Sequence, residues 1–126
     1  MGFLVVFLGA GLGGACRHGV NLLALRALTP GAFPFGTFAI NVVGSFLMGV
    51  AVEWFTLEGT RSAEWPRLLL TTGVLGGFTT FSAFSLEAIL LYQRGEVWPA
   101  ALYVVGSVVL SLAGLLLGLA LVRVLS

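Results

Sequence analysis

The third apolar segment of this chain, from Leu68 to Leu91, is long enough to cross a membrane, yet its centre is unfavourable for a helix. Its central sequence is Gly73-Val-Leu-Gly-Gly-Phe-Thr-Thr-Phe-Ser-Ala-Phe84. Adjacent glycines and β-branched threonines both lower helix stability. Because an unpaired backbone carbonyl is costly in lipid, a break there requires a partner for the freed carbonyls, such as an ion, water or another chain.

The composition places the chain in a bilayer. Of its 126 residues, 59% are hydrophobic and 9% are charged, far from the balance of a soluble domain. We predict an all-α membrane protein with a single four-helix transmembrane domain over residues 1–126, with spans at about 3–25, 35–55, 68–92 and 100–122. The first segment lacks a basic stretch before it, so we expect it to remain in the mature protein.

Charge and cysteine content exclude several classes of function. The net charge of +1 gives no basic surface for nucleic acid. A single cysteine, Cys16, permits no intrachain disulfide and no cysteine cluster for zinc or iron–sulfur.

The arginines near the span ends indicate how the chain inserts. Four spans place both termini on one side, with Arg61, Arg67 and Arg123, whereas Arg26 and Arg94 lie on the other. Three against two is barely a bias, although orientation follows the excess of basic residues in cytoplasmic loops. The count predicts insertion in both orientations and an antiparallel homodimer.

Small residues recur at helix-contact spacing within 9–13, 44–49 and 114–118. This pattern lets helices approach closely, either within one chain or between chains. Contact within the chain is the commoner use of each motif taken alone. The 18 glycines together predict close helix packing.

Polar residues form two stripes with i, i+4, i+8 spacing, which places each set on one helix face. They are Thr37, Asn41 and Ser45 in the second span, and Tyr103, Ser107 and Ser111 in the fourth. Hydroxyls can bond to their own helix, so such residues also occur at simple helix contacts. Two stripes, one with an asparagine, favour a pathway for water or ions.

The residues after the predicted break have two interpretations. Phe81 and Phe84 could be lipid-facing or core side chains, or their positive ring edges could stabilise a partly dehydrated anion. Glu87 is either an interfacial carboxylate or part of a vestibule or gate. Arg17, in the first span, either reaches the interface or holds an anion.

Three motifs together resemble the CrcB/Fluc family of fluoride channels, in order and over nearly the whole chain. They are Gly13-Gly-Ala-Cys-Arg17-His, Gly36-Thr-Phe-Ala-Ile-Asn41-Val-Val-Gly44-Ser-Phe, and Gly73-Val-Leu-Gly-Gly-Phe-Thr-Thr-Phe-Ser-Ala-Phe84-Ser-Leu-Glu87. The combination of a glycine pair, a threonine pair and two phenylalanines makes the third motif the most specific.

The resemblance implies a fluoride-selective channel and no enzyme. It implies passive fluoride efflux through two pores of an antiparallel dual-topology homodimer in the bacterial inner membrane. It also implies a structural sodium ion at the dimer centre, held by backbone carbonyls of Gly76 and Thr79 from both subunits. One departure is Ala83, where many members carry a hydroxyl residue.

The resemblance assigns the remaining site residues as well. Residues assigned to the fluoride pore are Asn41, Phe81, Phe84, Ser82, Thr37, Tyr103, Ser107 and Ser111. Glu87 is assigned to the channel mouth, and Arg17 to the vestibule.

Two other classes fit part of the sequence. A small proton-coupled exporter needs a carboxylate in its first span, where this chain has Arg17 and no acid. A non-conducting assembly subunit explains the glycines but neither the polar stripes nor the broken span.

Overall fold

Four long apolar helical spans build the protein, as predicted. The computed structural model describes residues 1–28, 33–59 and 64–126, and all regular secondary structure in those ranges is helical. The spans are α1 (Gly2–Ala27), α2 (Phe35–Glu58), a third span (Glu64–Gln93) and α6 (Val97–Leu125). Each is long and apolar enough to cross a membrane, so the chain is a multi-pass membrane protein. Arg61 lies outside the described residues.

The third span is divided into helical pieces. These are α3 (Glu64–Leu68), a π helix (Leu69–Leu75), α4 (Gly76–Phe78) and α5 (Phe81–Gln93). Between α4 and α5, Thr79 and Thr80 have extended backbone angles. These two residues are called the break below. The predicted interruption is therefore present at the threonine pair of the central motif, whereas Gly76 and Gly77 remain helical.

Two glycines before the break, Gly73 and Gly77, pack closely against α1. Gly9 and Gly73 meet backbone to backbone, and a Cβ on Gly77 would collide with the backbone of Ala10. A Cβ on Gly13 would collide with the carbonyl of Val74. The first half of the third span thus lies against α1 at a distance that only small residues allow.

Helices α2 and α6 form an extensive contact in the bundle. Gly49 packs on the carbonyl of Leu115, and Gly118 packs on the carbonyl of Phe46, so neither position has room for a Cβ. The small-residue motifs of these two spans therefore make contacts within the chain.

An ion pair joins the same two helices on the side of the termini. Arg123 donates from Nε to Oε1 of Glu53 at 2.8 Å and from Nη2 to Oε2 at 3.2 Å. The Glu53 side chain is 9% exposed and that of Arg123 is 63% exposed. The buried carboxylate of Glu53 is thereby paired with a guanidinium that is itself largely exposed.

Candidate functional site

The break leaves backbone carbonyls without helical partners. The last helical hydrogen bond before it runs from Thr79 N to Leu75 O at 3.0 Å, and the next helix begins at Phe81. Since the last four carbonyls of a helix have no intrahelical partner, those of residues 76–79 are free of the helix ladder. Gly76 and Thr79, the two residues predicted as sodium ligands, both belong to this set, and Gly76 is exposed on the surface of the chain.

Thr80 begins the second half of the span. Its Oγ1 accepts a hydrogen bond from Ala83 N at 3.2 Å, which is the geometry of a helix N-cap. The same hydroxyl lies 3.3 Å from Ser82 Oγ. No role was predicted for Thr80, although a threonine three residues before a helical backbone N–H is a usable N-cap signal.

Asn41 of α2 bridges the break. Its Nδ2 donates to Thr80 O at 3.0 Å, and Thr80 N donates to Asn41 Oδ1 at 2.9 Å. A single side chain therefore satisfies both backbone polar groups of a buried residue that has left the helix.

Next to the break lies a cavity of about 240 Å³, called the break cavity. Its lining comprises Asn41, Ser45, Thr79, Thr80, Phe81, Phe84, Ser107, Val108 and Ser111. Ser107 Oγ is buried and has no hydrogen-bond partner among the described residues. An unpartnered hydroxyl at a cavity wall is available to whatever enters the cavity.

The two predicted pore phenylalanines have different environments. The Phe84 ring is buried, at 8% exposure, whereas that of Phe81 is 78% exposed on this single chain. Their ring centroids are 5.5 Å apart at an interplanar angle of 47°. The break cavity thus ends at an exposed ring, so one chain alone does not close it.

Glu87 is held by two hydroxyl donors from other helices. Thr37 Oγ1 donates to its Oε1 at 2.9 Å, and Tyr103 Oη donates to its Oε2 at 2.7 Å. These three residues are called the carboxylate trio below. Thr37 and Tyr103 are almost completely buried, so the Glu87 carboxylate is held by donors that lie inside the bundle.

A second cavity, of about 390 Å³, lies where α1 and α5 end and α2 begins, and is called the end cavity. Thr37 and Glu87 belong to its lining, together with Asn21 and Arg94. The Tyr103 ring packs on that of Phe84, with centroids 5.1 Å apart. The carboxylate trio therefore separates the end cavity from the break cavity.

Of the residues predicted for the fluoride pore, all but Ser82 border the break cavity or belong to the carboxylate trio. Ser82 is exposed, and among the described residues its hydroxyl has a hydrogen-bond partner only in Thr80, at the start of α5. Arg17, predicted for the vestibule, contributes to the lining of neither cavity. Asn21 and Arg94 were not predicted, and their position in the end cavity has no local sequence signal.

Comparison with known proteins places the chain in a family. The model of that family, described as CrcB-like protein, Camphor Resistance (CrcB), matches residues 4–119. The fluoride-specific ion channel FluC of Granulibacter bethesdensis is 60% identical over 126 residues, with 99% of this chain and 97% of the relative covered. The fluoride-specific ion channel FluC 2 of Nitrobacter hamburgensis is 55% identical over 123 residues, with 98% of each chain covered. The similar protein of Rhodopseudomonas palustris, with the name FluC, is 55% identical over 126 residues, covering both chains completely.

The family model matches residues 4–119 of this chain, and the relatives are similar to it over nearly its whole length. The chain therefore belongs to the CrcB family.

Proposed function

We propose that this chain is a fluoride-selective ion channel, and not an enzyme, that lets fluoride leave the cell passively. The names of its relatives, fluoride-specific ion channels, support fluoride as the transported ion. The observation that carries the proposal is the buried, unpartnered hydroxyl of Ser107 beside the ring of Phe84 in the break cavity. Fluoride is small and strongly hydrated, so a pore has to replace its water with closely spaced donors and positive ring edges.

The proposed route runs from the break cavity past Phe84 and the carboxylate trio to the end cavity. Ser107 and Ser111 provide hydroxyl donors on the α6 side, and Thr37 and Tyr103 provide them beside Glu87. A passing anion competes with the Glu87 carboxylate for the same two hydroxyls. Between the two cavities the route therefore offers hydroxyl donors, whereas the positive charge of Arg94 lies in the end cavity.

The proposed channel is an antiparallel dual-topology homodimer with two pores, embedded in the bacterial inner membrane. Two features of the single chain support a dimer: the break cavity reaches the exposed ring of Phe81, and Gly76 is exposed beside the break. The near balance of arginines at the two membrane faces supports both orientations.

We also propose a structural sodium ion at the dimer centre. The donor set fits such an ion, because hard cations prefer oxygen ligands and the carbonyls of residues 76–79 lie beyond the last helical hydrogen bond. Gly76 and Thr79 are the residues that would hold it. The ion would supply positive charge between the two anion routes and join the subunits.

Fluoride efflux from liposomes tests the function. Purified protein should release fluoride much faster than chloride from vesicles without a proton gradient. Equal rates for the two anions would refute selectivity, release that depends on a proton gradient would indicate an exporter, and no release would indicate a non-conducting subunit.

Two further measurements test the assembly and the ion. Reporters fused to the C-terminus should give signal on both sides of the membrane, and signal on one side only would refute dual topology. Replacing sodium by a large organic cation during purification should weaken the dimer. A dimer equally stable without sodium would refute the structural ion.

A further inference from the structure

The backbone of Thr80 poses a problem that the bundle has to solve. Thr80 is buried, and its φ of −152° and ψ of 117° remove its N–H from the helix ladder. In a continuous helix that N–H would bond to the carbonyl of Gly76. Away from water, an unpaired N–H or C=O is strongly unfavourable, so the break depends on a substitute partner.

The carboxamide of Asn41 supplies that partner on both sides. One oxygen accepts from Thr80 N at 2.9 Å, and one N–H donates to Thr80 O at 3.0 Å. A carboxamide presents an acceptor and a donor at the spacing of a peptide group, so it can pair with an extended residue as a neighbouring β-strand would. Aspartate lacks the donor, and leucine of the same shape lacks both groups.

The position of α2 is matched to this contact. Gly44, one turn after Asn41, packs on Cγ2 of Thr79, and a Cβ at Gly44 would collide with that methyl group. Helix α2 therefore approaches both residues of the break through one face. Its small residue sets the distance, and its amide makes the hydrogen bonds.

We propose that Asn41 is a positioning residue that holds the break open at Thr80. With Thr80 fixed, its hydroxyl caps α5 by accepting a hydrogen bond from Ala83 N. This cap sets where α5, the helix that carries Phe81 and Phe84, begins. The free carbonyls of residues 76–79 follow from the same fixed break. Asn41 uses its oxygen and one N–H to bond Thr80. Its second N–H is the donor that remains for the break cavity.

The inference deepens the proposed channel function, and its test requires no ion flux. Full-length protein in detergent micelles, labelled with ¹⁵N and ¹³C threonine, reports the exchange rate of the Thr80 amide and the shift of its carbonyl. In Asn41→Leu the Thr80 amide should exchange at least roughly tenfold faster, because its buried partner is lost. In Asn41→Asp the oxygen acceptor remains, so exchange should stay within about threefold of the natural protein, while the Thr80 carbonyl shift moves.

Ser45→Ala is the matched control. Ser45 lies on the same face of α2, one turn beyond Asn41, and borders the same cavity, but the backbone N–H and C=O of Thr80 pair with the side chain of Asn41. Its substitution should leave both Thr80 signals unchanged.

The outcomes separate the possible roles of Asn41. An unchanged Thr80 amide in Asn41→Leu, or an unchanged Thr80 carbonyl in Asn41→Asp, overturns the inference. Loss of fluoride efflux with unchanged Thr80 signals would mean that Asn41 is an anion ligand only. Should Asn41→Leu not fold, the carbonyl shift in Asn41→Asp decides alone. Altered Thr80 signals in a protein that never conducts fluoride would support the inference and refute the proposed function.

Discussion

Tyr103 donates its hydroxyl to Oε2 of Glu87 at 2.7 Å while its ring packs on Phe84, so one buried side chain touches both the carboxylate trio and the break cavity. This contact joins α5 to α6. It also gives the donor stripe of α6 a fixed acceptor at one end.

Replacing Tyr103 by Phe keeps the ring and removes the donor. We expect the free energy of unfolding in micelles to fall by about 1.5–3 kcal/mol, as for other hydrogen bonds to a charged group. Fluoride efflux should fall as well, because the route loses a hydroxyl beside Glu87. Tyr92→Phe is the control: Tyr92 is exposed near the end of α5, and its change should stay within about 0.5 kcal/mol. Equal effects of the two substitutions would contradict the assignment.

Ser107→Ala should separate stability from conduction. Removing a buried hydroxyl that has no partner should leave stability unchanged or raise it by up to about 1 kcal/mol. Fluoride efflux should nevertheless decrease, since the hydroxyl is proposed to serve the passing anion. The control is Ser85→Ala, because Ser85 Oγ bonds to Phe81 O within its own helix at 2.9 Å. If Ser107 had a purely structural role, its replacement by alanine would not make the protein more stable and less conductive at the same time.

Isoleucine at Phe81 or Phe84 tests the phenyl rings. Both variants should suppress efflux while the protein stays assembled, because isoleucine is apolar but lacks the positive ring edge. Phe84→Ile should also cost about 1–2 kcal/mol of stability, since that ring is buried, whereas the exposed Phe81 should cost little. Phe7→Ile, at an equally exposed position on α1, should leave efflux unchanged. Undiminished efflux in both test variants would show that the two rings do not contribute to the fluoride route.

The ion pair of Glu53 and Arg123 should respond asymmetrically. Arg123→Gln leaves a carboxylate with 9% side-chain exposure without its partner and should lower the free energy of unfolding. Glu53→Gln leaves an exposed guanidinium in solvent and should lower that free energy less. Denaturant titration in micelles measures both.

The pair of Arg94 and Glu96 is the control for that asymmetry. Its atoms are 3.5 Å apart and both side chains are about half exposed, so either neutral variant should change stability by less than about 1 kcal/mol. Equal costs for Arg123→Gln and Glu53→Gln would show that burial of the carboxylate does not govern the pair.

Much of the fold followed from local pattern. Length and apolarity predicted four spans, and the i, i+4, i+8 spacing placed Ser107 and Ser111 on the face that borders the break cavity. Both signals depend only on residues that are close in the chain, which is why periodicity can detect them.

Long-range contacts could not be predicted in this way. The sequence predicted a break among the glycines and threonines of the third span, but which of them leaves the helix depends on distant contacts: Gly77 is helical and packs on α1, and the backbone of Thr80 pairs with Asn41, 39 residues earlier. The contact of Glu87 with Thr37 spans 50 residues. Which helix supplies a partner depends on tertiary packing and leaves no trace in local spacing.

The broken third span has an electrostatic consequence of its own. A helix end bearing free carbonyls carries a partial negative charge, and a helix start carries a partial positive charge. Two residues at the break therefore set two opposite helix poles side by side within one span. The pole before Thr79 favours a cation and the pole after Thr80 favours an anion. A membrane protein can thus attract ions of both signs at one depth using only the direction of its peptide groups, without burying a single ionised side chain for the purpose.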